Sequence, residues 1–173
     1  MDHTQCSSRL LIGFAIDWAA NPYHLSLING TTSAAQHFDV NQIIYVGGTL
    51  RSPIHHEELR NILYNYINNN FLDGLIISAA CIRRYISENE LSSFLNQFSP
   101  LPMVTLTEKV EGIPCVRTDN SNGLKELIRH LVHDHNYKNI GFIKGTVKEL
   151  SRVAKKNFNH FNLHYFSYIH SIQ

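Results

Sequence analysis

The stretch LLIGFAIDWAANPYHLSLINGTTSAA, residues 10–35, carries the reading of the fold. It opens with Leu10 to Ile16, a continuous apolar run as short as a strand and suited to one covered on both faces. Asn21-Pro22 then breaks the chain, because proline disfavours helix at the residue before it and suits the first turn of the next helix. From Tyr23 to Phe38, the residues Leu25, Ile28, Ala35 and Phe38 recur at roughly helical spacing. One strand followed by one helix is the unit from which the rest is built.

The unit repeats along the chain. Ile43 to Val46 reads as a second strand, closed by Gly47-Gly48. Pro53 opens a second helix with an apolar face of Leu59, Ile62, Leu63, Tyr66 and Ile67. Asp73-Gly74 turns into a third strand, Leu75 to Ser78. Ser87-Glu88-Asn89-Glu90 matches a capping box and leads a helix carrying Leu91, Phe94, Leu95 and Phe98. Met103 to Leu106 is the fourth strand, with Cys115-Val116 a short extended piece. Asn120 or Ser121 reads as the cap of a helix with Leu124, Leu127, Ile128, Leu131 and Val132, and Asp119 reads as a cap or turn residue. Ile140 to Ile143 is read as the fifth strand.

Strands alternating with helices predict an α/β, doubly wound parallel sheet of five strands flanked by helices. Right-handed crossovers leave two common orders, 2-1-3-4-5 and 3-2-1-4-5, and the first is the expectation here. Its ligand crevice lies beyond the carboxyl ends of strands one and three. One side of that crevice is Asp17-Trp18-Ala19-Ala20-Asn21-Pro22-Tyr23, and the other is Ser78-Ala79-Ala80-Cys81. The second strand adds Gly47-Gly48-Thr49 and the fourth adds Thr107-Glu108.

Composition narrows the function classes. The 173 residues are 43% hydrophobic, enough for a buried core. Fifteen Lys and Arg against fourteen Asp and Glu leave a net charge of +1, which gives no electrostatic footprint for nucleic acid. No apolar run is long enough to cross a bilayer, and the first residues lack the pattern of a secretory signal, so a cytoplasmic location is expected. Cys6, Cys81 and Cys115 lie far apart, without the spacing of a disulfide framework or a thiolate zinc site. The eleven histidines include His55-His56 and a group at His130, His133 and His135, but none completes a ligand pattern, so no metal and no cofactor are expected.

Enzyme signatures are missing too. There is no GxxxxGK[ST] phosphate loop, no GxGxxG after the first strand and no GxSxG elbow. Asp17 and Lys144 would suit a phospho-receiver, but the third strand ends in Ser78-Ala79-Ala80 without an acceptor carboxylate. A non-enzymatic binding domain is the expectation.

The residues also carry a resemblance. The opening IGFAIDWAANPYHLSLINGTTSAA is similar to the start of the type I periplasmic-binding-protein-like fold, the effector domain of lactose/galactose-repressor regulators. LPMVTLTEKVEGIPCVRTDNSNGLKELIRHLVHDHNYKNIGFIKG, residues 101–145, resembles that family in order and spacing, with its Asp119-Asn120 pair and its Asn139-Ile140-Gly141-Phe142-Ile143 strand. YVGGTLRSPIHHEELRNILYNYI, residues 45–67, resembles a subgroup in which such a domain heads a cytoplasmic sensor kinase or diguanylate cyclase. The resemblance implies a two-lobed clamp closing on a small-molecule effector, sugar-like or nucleoside-like. It further implies a lead at 1–9, a first lobe at 10–146, and a C-terminal helix at 147–173 that begins a second lobe truncated here. No DNA-reading helix-turn-helix fits ahead of residue 10, so no nucleic-acid contact and no membrane contact are expected from this chain.

The candidate ligand-binding residues are Asp17, Trp18, Asn21, Tyr23, Gly48, Thr49, Ala80 and Thr107. Trp18 and Tyr23 could stack on a flat ligand face while Asp17 and Asn21 orient it; equally, Tyr23 could pack a helix start and Trp18 plug a turn. Gly48 could admit a ligand close to the backbone, or simply end a strand. Thr107 stands where sugar-binding members of the resembled family often place an aspartate. In the tail, Phe158, Phe161, Tyr165, Tyr168 and Ile169 recur at three- and four-residue steps, the stripe of an apolar helix face. Homodimerisation through that stripe or an adjacent first-lobe surface is expected. Two other identities stay open: the effector-binding fragment of a repressor-class regulator, and a flavodoxin-like nucleotide or flavin binder.

Overall fold

The apolar run at the front of the chain becomes β1, Leu11–Ile16, with Phe14, Ala15 and Ile16 wholly buried. The structure, a computed structural model, describes residues 9–144 and 164–167. Asn21 caps α1, Pro22–His37, by accepting a hydrogen bond from the His24 backbone N–H, with Pro22 in the first turn. β2 is Asn41–Val46 and β3 is Gly74–Ile77. α2 is His55–Leu59, followed by a 3-10 helix, Arg60–Tyr66. A short α3, Ala79–Ile82, leaves β3, and α4 is Glu88–Asn96 with both halves of its capping box formed between Ser87 and Glu90. β4 is Met103–Leu106 and β5 is Cys115–Val116.

These five strands form one parallel sheet in the order β2-β1-β3-β4-β5, the doubly wound α/β arrangement expected from the sequence. Its fifth member differs from the expectation. The edge position belongs to Cys115–Val116, in register with Thr105 and Leu106, and not to the run at 140–143. A strand of two residues carries no periodicity, which is why it read only as an extended piece. Gly141–Lys144 (β6) instead pairs in parallel with His164–Ser167 (β7) in a separate two-stranded sheet.

The larger core cluster lies on one face of the main sheet, while Phe14 and Ile16 are buried on the other. In that cluster Ala15, Tyr45, Leu75 and Ile77 pack with Tyr64 and Ile67 from the 3-10 region, and with Leu91, Leu95 and Phe98 from α4 and its end. The second helix departs from its predicted face. Leu59, Ile62, Leu63 and Tyr66 are exposed, while Tyr64 and Ile67 are buried. The cause is the change of winding at Arg60: three residues per turn rotate the apolar positions away from the stripe that a 3.6-residue helix would present.

The chain divides into two compact units, Met1–Arg117 and Thr118–Gln173. The first unit ends just after β5. In the second, α5 spans Asn120–His133; its cap is Asp119, which accepts from the Asn122 N–H, one residue ahead of the Asn120 or Ser121 expected as the cap. The C-terminal helix expected at 147–173 is replaced at His164–Ser167 by β7. Tyr and Phe are strong strand formers, and β6 supplies a partner edge, so pairing wins there over helical spacing. Phe158, Phe161, Tyr168 and Ile169 lie outside the described residues, as does the lead up to residue 8.

Candidate functional site

Four loops leave the carboxyl ends of β1 to β4, and the point where strand order reverses lies between β1 and β3. Asp17 is the first residue past β1 and is buried. Its Oδ1 lies 2.9 Å from His24 Nε2, and the Thr49 hydroxyl donates to its Oδ2 at 3.5 Å. His24 sits in the first turn of α1, above the Asn21 cap. The Asn21 Oδ1 accepts from the His24 backbone N–H at 3.0 Å and lies 2.6 Å from His24 Nδ1. An atom that accepts a backbone N–H must be the carbonyl oxygen, so His24 Nδ1 carries a hydrogen toward it. That leaves Nε2 facing a carboxylate.

Cys81, in α3, completes the cluster: single ligand-type atoms of Asp17, His24 and Cys81 all lie within 4.8 Å of one another. Burial pushes the Cys81 thiol up from its ordinary value and the Asp17 charge adds to this, while Ser78 works in the opposite direction. An upward-shifted thiol is the reverse of an activated nucleophile. The cluster therefore has the composition of a catalytic triad without its electrostatics.

Tyr64 closes the floor beneath. Its hydroxyl donates to the backbone carbonyls of Gly48 at 3.0 Å and Ile16 at 3.3 Å. Burial, with Asp17 nearby, drives the phenol far above its ordinary value, so it stays a donor. Above the floor, Tyr23 is half exposed with its hydroxyl 3.4 Å from the Thr107 Oγ1. Thr107 adopts φ 71°, a left-handed conformation that costs a β-branched residue about 1–3 kcal/mol. Beside it, Glu108 pairs with Arg83, which joins the β4 exit to the end of α3.

The predicted residues thus separate into groups. Asp17 and Thr49 meet each other, and Tyr23 and Thr107 meet across the opening. Trp18 is half buried, with the Arg60 guanidinium 4.7 Å above its ring centroid. Arg60 Nε and Nη2 are buried with no hydrogen-bond acceptor among the described residues. Asn21 is occupied as the α1 cap. At Gly48 the close approach is made by the chain itself, since a Cβ would lie 2.0 Å from the Glu57 carbonyl oxygen. Ala80 is half buried in α3.

Sequence reasoning missed His24, Tyr64 and Arg60, and it placed Cys81 on the crevice wall without giving it a role. A usable signal existed for His24 alone: a residue three past an Asn cap stands over that cap, so Asn21 and His24 were bound to meet.

No family model and no curated protein matches the chain. Solved structures do. A periplasmic binding protein/LacI transcriptional regulator from Alkaliphilus metalliredigens QYMF, complexed with D-xylulofuranose, aligns over 94% of this chain and 58% of its own, at 17% identity and TM-score 0.60. The lac repressor dimer bound to operator and the anti-inducer ONPF aligns over 94% and 56%, at 16% identity and TM-score 0.67. A glucose-galactose binding protein from Geobacillus stearothermophilus aligns over 95% and 60%, at 18% identity and TM-score 0.59. The chain thus spans under two thirds of the length of these structures, which are binding proteins and regulators and not enzymes. Among the described residues no helix is long and apolar enough to cross a membrane. The sheet order and these likenesses together show the fold: the chain has the architecture shared by periplasmic binding proteins and LacI-type regulators.

Proposed function

We propose that this chain is a small-molecule-sensing domain that takes a sugar-like polyol at the carboxyl ends of β1 to β4. The observation that carries the reading is the ring of polar groups at that end. Tyr23 and Thr107 stand at the opening, Asp17 and Thr49 lie below, and Thr107 is held in a strained conformation. Strain maintained in a loop beside a crevice fits a binding role, because the surrounding structure must over-determine it. Vicinal hydroxyls match paired hydroxyl and carboxylate partners, and an aromatic face suits the apolar side of a sugar ring. The sugars named for the Alkaliphilus and Geobacillus proteins support the same ligand class.

The domain's place is the sensing part of a bacterial signal-transduction protein, cytoplasmic and dimeric. Closure on effector would bias a two-state output. The exposed Leu59, Ile62 and Tyr66 on the first unit supply an apolar surface for pairing two copies. A second reading, the effector domain of a repressor-class regulator, draws support from the lac repressor likeness. Sedimentation at increasing concentration tests the pairing; a monomer throughout would remove it.

Trp18 is the chain's single tryptophan, so its fluorescence reports directly on this opening. Titration with pentoses and hexoses is expected to give a saturable change that weakens at least about tenfold in Tyr23→Ala. A flat response to every sugar would overturn the proposal. A response to flavin or nucleotide alone would transfer the site to that ligand class.

A further inference from the structure

Beneath the opening, the structure brings together three side chains that no sequence pattern connects. Asp17 comes from the end of β1, His24 from the first turn of α1, and Cys81 from α3. We propose that Asp17, His24 and Cys81 form a binding site for a single zinc-class divalent ion. The inference is independent of the sugar reading, because it concerns a different set of side chains and a different ligand.

Three features of the geometry support it. The first is spacing. A tetrahedral ion with ligands at about 2.0–2.3 Å holds its donor atoms about 3.3–3.8 Å apart. The three donor atoms here already lie within 4.8 Å of one another, so rotamer adjustment suffices. The second is orientation of the imidazole. His24 Nδ1 gives its hydrogen to the Asn21 carbonyl oxygen, which fixes the tautomer and turns the Nε2 lone pair toward the cluster. Metal-bound histidines are held in this way by an oxygen on the other ring nitrogen. The third is burial. Nε2 and the Asp17 carboxylate face each other at 2.9 Å in a buried place, where their side chains are each only 10% exposed. Solvent reaches the pair poorly there, so an ion seated between them would meet both donor atoms without competition from bulk water.

With a divalent ion, the Asp17 carboxylate and the Cys81 thiolate carry two negative charges against two positive. The Cys81 proton leaves to solvent as the sulfur binds. A mixed nitrogen, oxygen and sulfur set favours zinc or cobalt over magnesium or calcium, which take oxygen alone. Three protein donors leave a fourth position for water or for an oxygen of a bound molecule.

The full chain, stripped of metal with chelator, is titrated with Co2+. One equivalent is expected to produce a thiolate-to-cobalt charge-transfer band in the near ultraviolet, and Zn2+ is expected to abolish it by displacement. Cys81→Ser should remove the band, and His24→Gln should weaken Co2+ binding at least about tenfold. Cys115→Ser and Cys6→Ser should leave it intact. In the unmutated protein, one equivalent of Zn2+ should slow alkylation of Cys81, mapped by mass spectrometry, and leave Cys115 unaffected. Absence of the band at one equivalent, its persistence in Cys81→Ser, or equal protection of both cysteines would overturn the site. A sugar-induced change in Trp18 fluorescence without any cobalt band would leave the sugar reading standing and remove this one.

Discussion

At the scale of single residues, the site end of the sheet is held by a few contacts that tolerate little change. Gly48 lies against the backbone of α2, and a methyl group there would meet the Glu57 carbonyl oxygen at 2.0 Å. A main-chain atom in a helix cannot rotate out of the way, so Gly48→Ala is expected to cost about 3 kcal/mol or more, measured by urea unfolding. Tyr64 acts from the opposite side. Its hydroxyl bonds two carbonyls, but Ile16 O also accepts from Gly47 N–H, so only Gly48 O loses its partner in Tyr64→Phe. The expected cost is about 1–1.5 kcal/mol, with the sheet unchanged by circular dichroism. A loss above 3 kcal/mol would mean that the ring, not the hydroxyl, had been disturbed.

At the scale of elements, α4 is set by its capping box. The Ser87 N–H and hydroxyl both donate to Glu90 Oε2 at 2.8 Å, and Ser87 Oγ accepts from the Glu90 N–H at 3.3 Å. Ser87→Ala is expected to lower stability by about 1 kcal/mol. The Ser87 backbone N–H, with its hydroxyl and Arg51, holds the Glu90 carboxyl below its ordinary value of 4.5. A depressed folded value contributes stability that is complete above the unfolded value and is lost as pH falls through the folded one. The urea midpoint should therefore drop on acidification below pH 4.5. The drop should be shallower in Glu90→Gln, and equal slopes in the two proteins would show that the box does not carry this linkage. The α2 to 3-10 segment behaves differently. It has no side-chain cap at its start and buries Tyr64 alone, so its position follows from what Tyr64 fills.

At the scale of the whole molecule, the chain divides into two compact units between Arg117 and Thr118. Arg117 is exposed and lies between β5 and α5. Limited trypsin digestion is expected to cut early after Arg117, releasing a fragment that carries all five strands of the main sheet. Mass spectrometry of the first products checks this. A first stable fragment extending through residue 144 would instead favour the boundary near 146 that the resemblance implies. The edge of the sheet also matters here. β5 has only two residues, and a short edge discourages unwanted strand pairing on that side, whereas the opposite edge is the six-residue β2.

Much of the fold was already legible in local chemistry. Leu11–Ile16 is apolar without a break, so it had to be an inner strand. Asn21-Pro22 and Ser87 through Glu90 are start signals whose atoms act within one turn. Position at the carboxyl ends of strands was likewise enough to nominate Asp17, Thr49, Tyr23 and Thr107. What the sequence could not determine was anything set by contacts between distant segments. The winding of residues 60–66 depends on where Tyr64 finds a cavity, the fifth strand on which edge is free, and the fate of His164–Ser167 on the presence of β6. The meeting of Asp17, His24 and Cys81 belongs to the same class. Residues 17 and 81 are neighbours only because β1 and β3 lie side by side, and pairing between strands is a property of the folded sheet.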